Sequence, residues 1–478
     1  MITPETIVRT LALADVKWLS TFQPRRSDPD LRPVPLGFLA LIVMGAAALM
    51  LPAAHAPEKT LSWLDAFFVS ASAVCVTGLT PINLATTLSG FGQAVVLVLI
   101  QVGGLGIVTA SLALVMLAGK RLSLAHEGAV AATLGRLQRA RPAELFRFSC
   151  LSVALIETMG AASLYWRLQT AYPQGDPSRL LWQAVFHAVS GFCNAGFSIL
   201  PAGLVQWRGD AVLLSIVDVL VVAGGIGLLS LINLRYFYFW RNDPRSRGQL
   251  TLQTKLSLVV TALLLTGGAV TSLLFEWNYT LIGQGWEQKI SWSVFHSVMT
   301  RTAGFNVVDP GQMHPATLLL SLALMFVGGS PGSMAGGIKT VTFAVLFATA
   351  RAALLRRENV EIFGRRIDAR TTGIALMITL LAVGVVGVGI AALMFTEFRS
   401  GSAEAPDHWL GIIFEAVSAF ATVGLTAGVT PLLTSGGKVV VILLMFVGRV
   451  TPLMLAVYLA RPVKRWHIRH AEEQVALG

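Results

Sequence analysis

The chain has 478 residues, 54% of them hydrophobic and only 13% charged, about half the charged share of a soluble globule. Several segments reach the ~20 apolar residues that cross a bilayer, so the composition excludes a water-soluble globule and points to an integral membrane protein. The formal charge of +11 lies between apolar segments rather than in one basic domain, which argues against nucleic acid as a partner. Three cysteines without a CxxC argue against a disulfide framework or a zinc site.

Residues 1–35 are polar and lack the apolar core and cleavage site of a signal peptide, so they are expected to be a cytoplasmic tail. Residues 36–118 hold an apolar span at about 36–53, a short piece reading DAFFVSASAVCVTGLTP from Asp65, and a second span at about 91–118. Residues 142–241 repeat the plan, with spans at about 146–170 and 211–236 around QAVFHAVSGFCNAGFSILP from Gln183. Residues 250–355 do so again, with WSVFHSVMTRTAGFNVVDP from Trp292 between a span at 256–277 and an apolar stretch at 316–354 interrupted by MFVGGSPGSMAGGIKT. Residues 368–460 place GIIFEAVSAFATVGLTAGVTP, from Gly411, between spans at about 373–396 and 437–460, and 461–478 form a second tail.

Lys and Arg fill alternate connections: Arg25, Arg26 and Arg32, then Lys120 to Arg141, Arg241 to Arg247, Arg356 to Arg370, and Lys464 to Arg469. The other connections carry most of the acids, among them Glu58, Asp176, Glu276, Asp309, Glu397, Glu404 and Asp407. The positive-inside rule makes the basic side, with both termini, cytoplasmic.

The four short pieces align on Gly78, Gly196, Gly304 and Gly424, separated by 118, 108 and 120 residues. A second anchor, Gly103-Gly104, Gly224-Gly225, Gly328-Gly329 and Gly448-Arg449, follows at intervals of 25, 28, 24 and 24. Two anchors in register over four copies mark an internal repeat. A piece of about 12 residues cannot cross ~30 Å, so each must enter and return on the outer side. The expected fold is an all-α integral membrane protein of four parallel M1-P-M2 repeats, with eight spans and four re-entrant pore loops around a pseudo-fourfold axis.

Four re-entrant helices aim partly negative C-terminal ends at the axis, and the extended segments after them can turn backbone carbonyls inward as a cation filter. The expected filter segments are Val76-Thr77-Gly78, Asn194-Ala195-Gly196, Thr302-Ala303-Gly304 and Thr422-Val423-Gly424, with Cys75 and Cys193 just inside. Each glycine supplies the φ values that such a segment needs. The plainer alternative, that the glycines only let helices pack closely, does not account for their place after an interrupted apolar piece in all four copies.

The chain resembles the Trk/Ktr/HKT superfamily of potassium transporters over roughly residues 36–460. The motifs are QVGGLGI at 101–107, NAGF at 194–197, RTAGFN at 301–306, GGSPGSMAGGIKT at 328–340, and Gly448-Arg449 followed by TPL. Among them QVGGLG and GR…PL look most like the KtrB-type membrane subunit. The resemblance implies a potassium-channel-like fold and inward movement of K+ across a bacterial plasma (inner) membrane. It also implies a homodimer with one pore per protomer and a cytosolic ring of the RCK type (KtrA-like or TrkA-like). ATP or ADP would act only through that partner, since no phosphate-binding glycine loop is present in this chain. Met334 and Thr451 depart from the family, which commonly has Thr and Gly there. Plant relatives that prefer Na+ carry Ser at the first filter glycine, so Gly78 argues for K+; the alternative within the superfamily is a Na+-coupled or Na+-permeable symporter.

A straight helix over 316–354 would measure about 58 Å, nearly twice the hydrocarbon thickness. It must break at Gly328, Gly329, Ser330, Pro331, Gly332, Ser333, Met334, Ala335, Gly336 and Gly337, where Pro331 forbids a continuous helix. A gate loop below the filter is expected, with Lys339 at its end holding carbonyls or an acid, or facing the cytoplasm. Arg449, a costly charge at bilayer depth, is expected to steady that loop and repel cations when it is closed; the alternative is a salt bridge to Asp218 or Glu157. Arg301 is expected to point behind the filter and to bond backbone or Glu415. His187, His296 and Glu415, at one matching place on three short helices, are expected to be structural groups, and no metal other than K+ at the filter carbonyls is expected.

Three other classes fit less well. An inverted-repeat secondary transporter conflicts with repeats that all point one way. A membrane-embedded enzyme would need a motif such as HExxH or a clustered intramembrane carboxylate pair, and the sequence has neither. A non-catalytic pump subunit would carry further spans around the repeats.

Overall fold

The computed structural model describes residues 33–119, 142–240, 250–399 and 408–459. The two tails, the basic connections at 120–141 and 241–249, and Glu404 and Asp407 lie outside the described residues.

The helices in chain order are α1 (Pro33–Leu49), α2 (Trp63–Val74), α3 (Gly90–Gly119), α4 (Pro142–Ala171), α5 (Pro177–Phe192), α6 (Ala211–Ile226), α7 (Leu228–Trp240), α8 (Leu252–Glu276), α9 (Trp286–Met299), α10 (Pro315–Phe326), α11 (Thr340–Leu354), α12 (Ala369–Arg399), α13 (His408–Ala421) and α14 (Ser435–Leu459). The short helices α2, α5, α9 and α13 form the centre. Phe68, Phe186, Phe295 and Phe414, one on each, are fully buried. The longer helices surround them with exposed apolar faces, as shown by Leu263, Val388 and Leu443, the inside-out pattern that a lipid surround permits.

Polar caps fix where the chain turns. Ser62 accepts from the Asp65 N–H and starts α2, and Asp176 accepts from Ser178 and starts α5. Asp210 caps α6 by accepting from Val212 and Leu213, and also pairs with Arg167 of α4 at 2.8 Å. Asp65 pairs with Lys438 at 2.7 Å, joining the start of α2 to α14. At the same end of the molecule Glu276 accepts from the His314 N–H, and Glu397 from the Thr434 side chain.

Three features depart from the expected architecture. By length and composition, two helices among the described residues can cross a membrane, α8 and residues 369–398 of α12, or three if α6 and α7 are one span. The span expected at 211–236 is not straight: α6 and α7 meet at 93°, about Gly227 in the left-handed region at φ 85°. The fold is also not wholly helical. Strands β1 (Val360–Ile362) and β2 (Arg365–Ile367) pair antiparallel in the connection after α11. Their two-residue turn, Phe363-Gly364, has φ of 50° and 69°, the type I′ geometry that matches strand twist.

Asp210→Ala is expected to lower the thermal midpoint of the purified protein, since it removes a cap worth about 1–2 kcal/mol and strands Arg167. Asp210→Ser keeps the cap and should recover most of the loss. Equal losses would place the energy in the ion pair instead.

Candidate ion-conduction site

The four short helices end alike. Val76, Asn194, Thr302 and Thr422 sit at φ of 55°, 58°, 65° and 50°, and Gly78, Gly196, Gly304 and Gly424, two residues on, at 101°, 70°, 73° and 91°. Left-handed backbone therefore occurs twice per segment, where the sequence alone suggested only the glycine. In three segments the first instance is a Schellman-type helix end. The Thr77, Ala195 and Val423 N–H groups reach back to Ser72, Ser190 and Ser418 carbonyls at 2.8, 2.7 and 2.8 Å. The segment after α9 is one residue tighter, with Ala303 N–H on the Met299 carbonyl at 3.1 Å. Valine and threonine are strained in this region, at about 1–3 kcal/mol each.

The segments close into a ring in chain order. A Cβ on Gly78 would lie 2.5 Å from the Ala195 carbonyl oxygen, one on Gly196 2.6 Å from that of Ala303, and one on Gly304 2.5 Å from that of Val423. One on Gly424 would land on the Thr77 carbonyl oxygen and complete the circuit. Each glycine is thus required by φ and by space, and four carbonyls lie against the neighbouring segments. Ser72 and Ser418 hydroxyls hold the Gly78 and Gly424 N–H groups from behind at 3.1 Å. Thr77 Oγ1, Asn194 Oδ1 and Thr302 Oγ1 are buried acceptors without a hydrogen-bond donor among the described residues.

The second anchor has a separate cause. A Cβ on Gly103, Gly224 or Gly448 would fall on the carbonyl of Val74, Phe192 or Phe420. Those carbonyls each stand four residues before one of the four ring glycines. In three copies the helix after the segment therefore touches the end of the short helix backbone to backbone. Gly328 breaks the rule, since its nearest neighbour is the Gly336 carbonyl.

The loop between α10 and α11 is folded back on itself. The Gly328 N–H donates to Ile338 at 2.8 Å, and the Thr340 N–H to Gly329 at 3.1 Å. Gly332 and Gly337 make its turns at φ of 75° and 63°. The loop docks where α6 breaks: Ser330 and Met334 N–H groups donate to the Gly225 and Gly224 carbonyls at 2.9 and 3.3 Å, and Leu228 donates to Gly332 at 3.2 Å. Helical carbonyls freed by the bend are taken up by the loop. Gly336 sits against Ala421 and Thr422, and the Met334 sulfur and Cys193 sulfur lie 3.1 and 3.3 Å from where a Gly104 Cβ would be. The loop thus meets elements of the other three quarters of the ring.

Three cations surround it. Lys339 Nζ donates to the Ala335 carbonyl at 2.6 Å and, more weakly, to Gly336 at 3.5 Å, so it clasps its own loop rather than an acid. Arg301 Nη2 donates to the Gly328 carbonyl. Glu415, the acid considered for it, instead accepts from Thr426 and Thr430. Arg449 Nη1 donates to Thr422 Oγ1 at 3.5 Å, and its Nε and Nη2 are buried without an acceptor. It forms no ion pair with Asp218 or Glu157.

Glu157 has another role that the sequence reading missed. Its carboxylate accepts from Gln101 Nε2 at 3.1 Å and from the Cys193 thiol at 3.7 Å. Cys193 directly precedes the left-handed Asn194, so α3 and α4 brace the second segment through this trio. The signal was an intramembrane carboxylate together with a glutamine inside QVGGLGI. His187 bonds Gln183 and Ser198, and His296 bonds Ser321, as expected of structural groups.

The family described as TrkH, cation transport protein, matches residues 3–465. The chain belongs to the TrkH family of cation transport proteins. It is 36% identical to the Ktr system potassium uptake protein B of Bacillus subtilis, over 97% of this chain and 98% of that one. It is 34% identical to the potassium/sodium uptake protein NtpJ of Enterococcus hirae, over 96% and 100%. The fold is similar to the crystal structure of the potassium transporter TrkH from Vibrio parahaemolyticus, with a TM-score of 0.70, 18% identity and coverage of 92% of this chain and 85% of that one.

In this TrkH-family chain Gly224→Ala should lower the thermal midpoint and the yield of folded protein, because its methyl would land on the Phe192 carbonyl. Gly225→Ala, whose Cβ has nothing nearer than Asn194 Nδ2 at 3.8 Å, should melt close to the parent. Equal melting of the two would remove the backbone-contact explanation of the anchor.

Proposed function

We propose that the chain takes up K+ across the bacterial plasma membrane through a filter formed by Val76–Gly78, Asn194–Gly196, Thr302–Gly304 and Thr422–Gly424. The observation that carries this reading is the closed ring in which each segment's glycine abuts the next segment's carbonyl. Carbonyl rings replace the hydration shell of a monovalent cation without binding it too tightly to leave. In this reading the four quarters are parallel M1-P-M2 repeats with eight spans. Non-helical backbone at their centre is stable only where protein or a wet path faces it. The names of the relatives, a Ktr system potassium uptake protein and a potassium/sodium uptake protein, support cation uptake and make Na+ the competitor to test.

The loop 328–339 is the gate in this proposal. Its contacts with Gly224, Gly225, Ala421 and Thr422 support a position beside the ends of the short helices, and hydrogen bonds together with the buried Met334 and Ile338 hold its folded shape. Small residues let it move. α11 follows it directly and leads to the basic connection 355–368, where a cytosolic partner can act. The word "system" in the name of the Bacillus relative supports a multi-component assembly. By resemblance that assembly is a homodimer on a nucleotide-binding RCK ring, with the basic connections and both termini on its side.

In a bacterium lacking its own K+ uptake, the wild-type chain with its partner should restore growth on low K+. Gly78→Ser should cut K+ uptake by roughly tenfold or more, the effect of about 1.4 kcal/mol on the ion's passage, while Na+ entry falls less. Rescue that ignores the substitution would sink the filter assignment.

Deleting residues 330–335 should leave K+ flux in proteoliposomes that no longer answers to nucleotide on the partner. Flux that keeps its full nucleotide response would remove the loop as gate.

A further inference from the structure

A cavity of about 570 Å³ lies on the outer face of the molecule between α8, α11 and the β1–β2 hairpin, within the size range of ligand pockets. Its walls are hydrocarbon, including Leu256, Leu263, Phe343 and Phe347, and its polar groups gather at one end, where Arg351, Arg357 and Glu361 stand. Phe347 and Leu263 remain 66% and 65% exposed at its rim. From Phe343 to Leu355 the groove runs about 18 Å along α11, close to half of the ~30 Å hydrocarbon thickness.

A groove one leaflet deep, apolar toward the bilayer centre and cationic at the interface, has the chemistry of a phospholipid. We propose that it binds one anionic phospholipid of the leaflet on the hairpin side, with an acyl chain along Phe343 and Phe347 and the phosphate between Arg351 and Arg357. The charge favours an anionic head group. Two arginines face one glutamate, neither arginine forms an ion pair among the described residues, and Arg356, Arg365 and Arg366 stand nearby. Basic pockets on the cytoplasmic side of helices recognise such head groups, and guanidinium matches phosphate bidentately. The lipid would lie against the helix that begins at the end of the gate loop, one residue after Lys339. The proposal needs only a membrane-embedded chain and does not depend on which ion it carries.

The test is to pass the full chain through nanodiscs of equal phosphatidylcholine and phosphatidylglycerol, re-extract it, and weigh the retained lipid by native mass spectrometry. The parent should retain phosphatidylglycerol over phosphatidylcholine. Arg351→Gln with Arg357→Gln should cut that preference by about thirtyfold, on the order of what two membrane-surface arginines contribute. Ala348→Phe, which fills the groove and keeps the arginines, should reduce both lipids. An unchanged preference in the arginine variant would overturn the site. So would an intermolecular disulfide through Phe347→Cys, because it would place a second copy of the chain in the groove.

Discussion

Backbone that leaves a helix inside a bilayer must satisfy its N–H and C=O groups within the protein, and this constraint shapes the whole centre of the molecule. Each short helix ends in a left-handed residue whose hydrogen bonds close the helix and release the next carbonyls sideways. Those carbonyls lie against the glycine of the neighbouring segment, so no segment is complete without the one beside it. The strain at Val76, Thr302 and Thr422 persists because the ring holds it. The proposed conduction path and the fold draw on the same bonds: the feature that satisfies the backbone is the one proposed to line the path of the ion.

The same constraint explains why symmetry fails in two places rather than one. Opening the helix between α10 and α11 leaves loop N–H groups without partners, and bending α6 at Gly227 leaves carbonyls without donors. Ser330 and Met334 join the two deficits. A loop in one quarter is therefore matched by a bend in the preceding one. The segment after α9 is also set apart, by its tighter end and by Arg301 on the Gly328 carbonyl. All three irregularities meet at the loop.

The sequence made much of this legible. Gly78, Gly196, Gly304 and Gly424 were readable because they fall at one place in four copies, and the break at 328–337 because no helix of that length fits a bilayer. The bend at Gly227 was not readable, since Gly224-Gly225 matched the unbroken anchors and its cause lies about a hundred residues later in the chain. Nor were Val76, Asn194, Thr302 and Thr422 as left-handed residues, because local preference opposes three of the four and only the assembled ring imposes it. The reason for the second anchor was hidden as well. Gly103, Gly224 and Gly448 look like ordinary helix-packing glycines, and only the fold shows that each faces a carbonyl. The partners of Arg301, Arg449 and Glu157 depended on side-chain reach across helices that no spacing encodes.

Positive charge beside the proposed cation path looks like a contradiction, and its placement resolves it. Arg301 holds the Gly328 carbonyl through Nη2, with its Nη1 buried and unpartnered among the described residues. Lys339 clasps carbonyls of its own loop, so it travels with that loop. Arg449 stands on α14, weakly held by Thr422, with two donors unpaired, and within electrostatic reach of Lys339, Cys75 and Cys193. A unit charge about 8 Å from a passing ion raises its energy by about 2 kcal/mol at an effective dielectric near 20. Two such charges together slow passage by about three orders of magnitude. In the proposed gate, an ion below the ring would meet both Arg449 and Lys339 as well as the loop backbone. If the loop withdraws as proposed, Lys339 would leave with it and the spare donors of Arg449 could turn to the carbonyls the loop vacates. In that proposal the barrier has a fixed part on α14 and a removable part on the loop, the division of labour that a gate beneath an open filter requires.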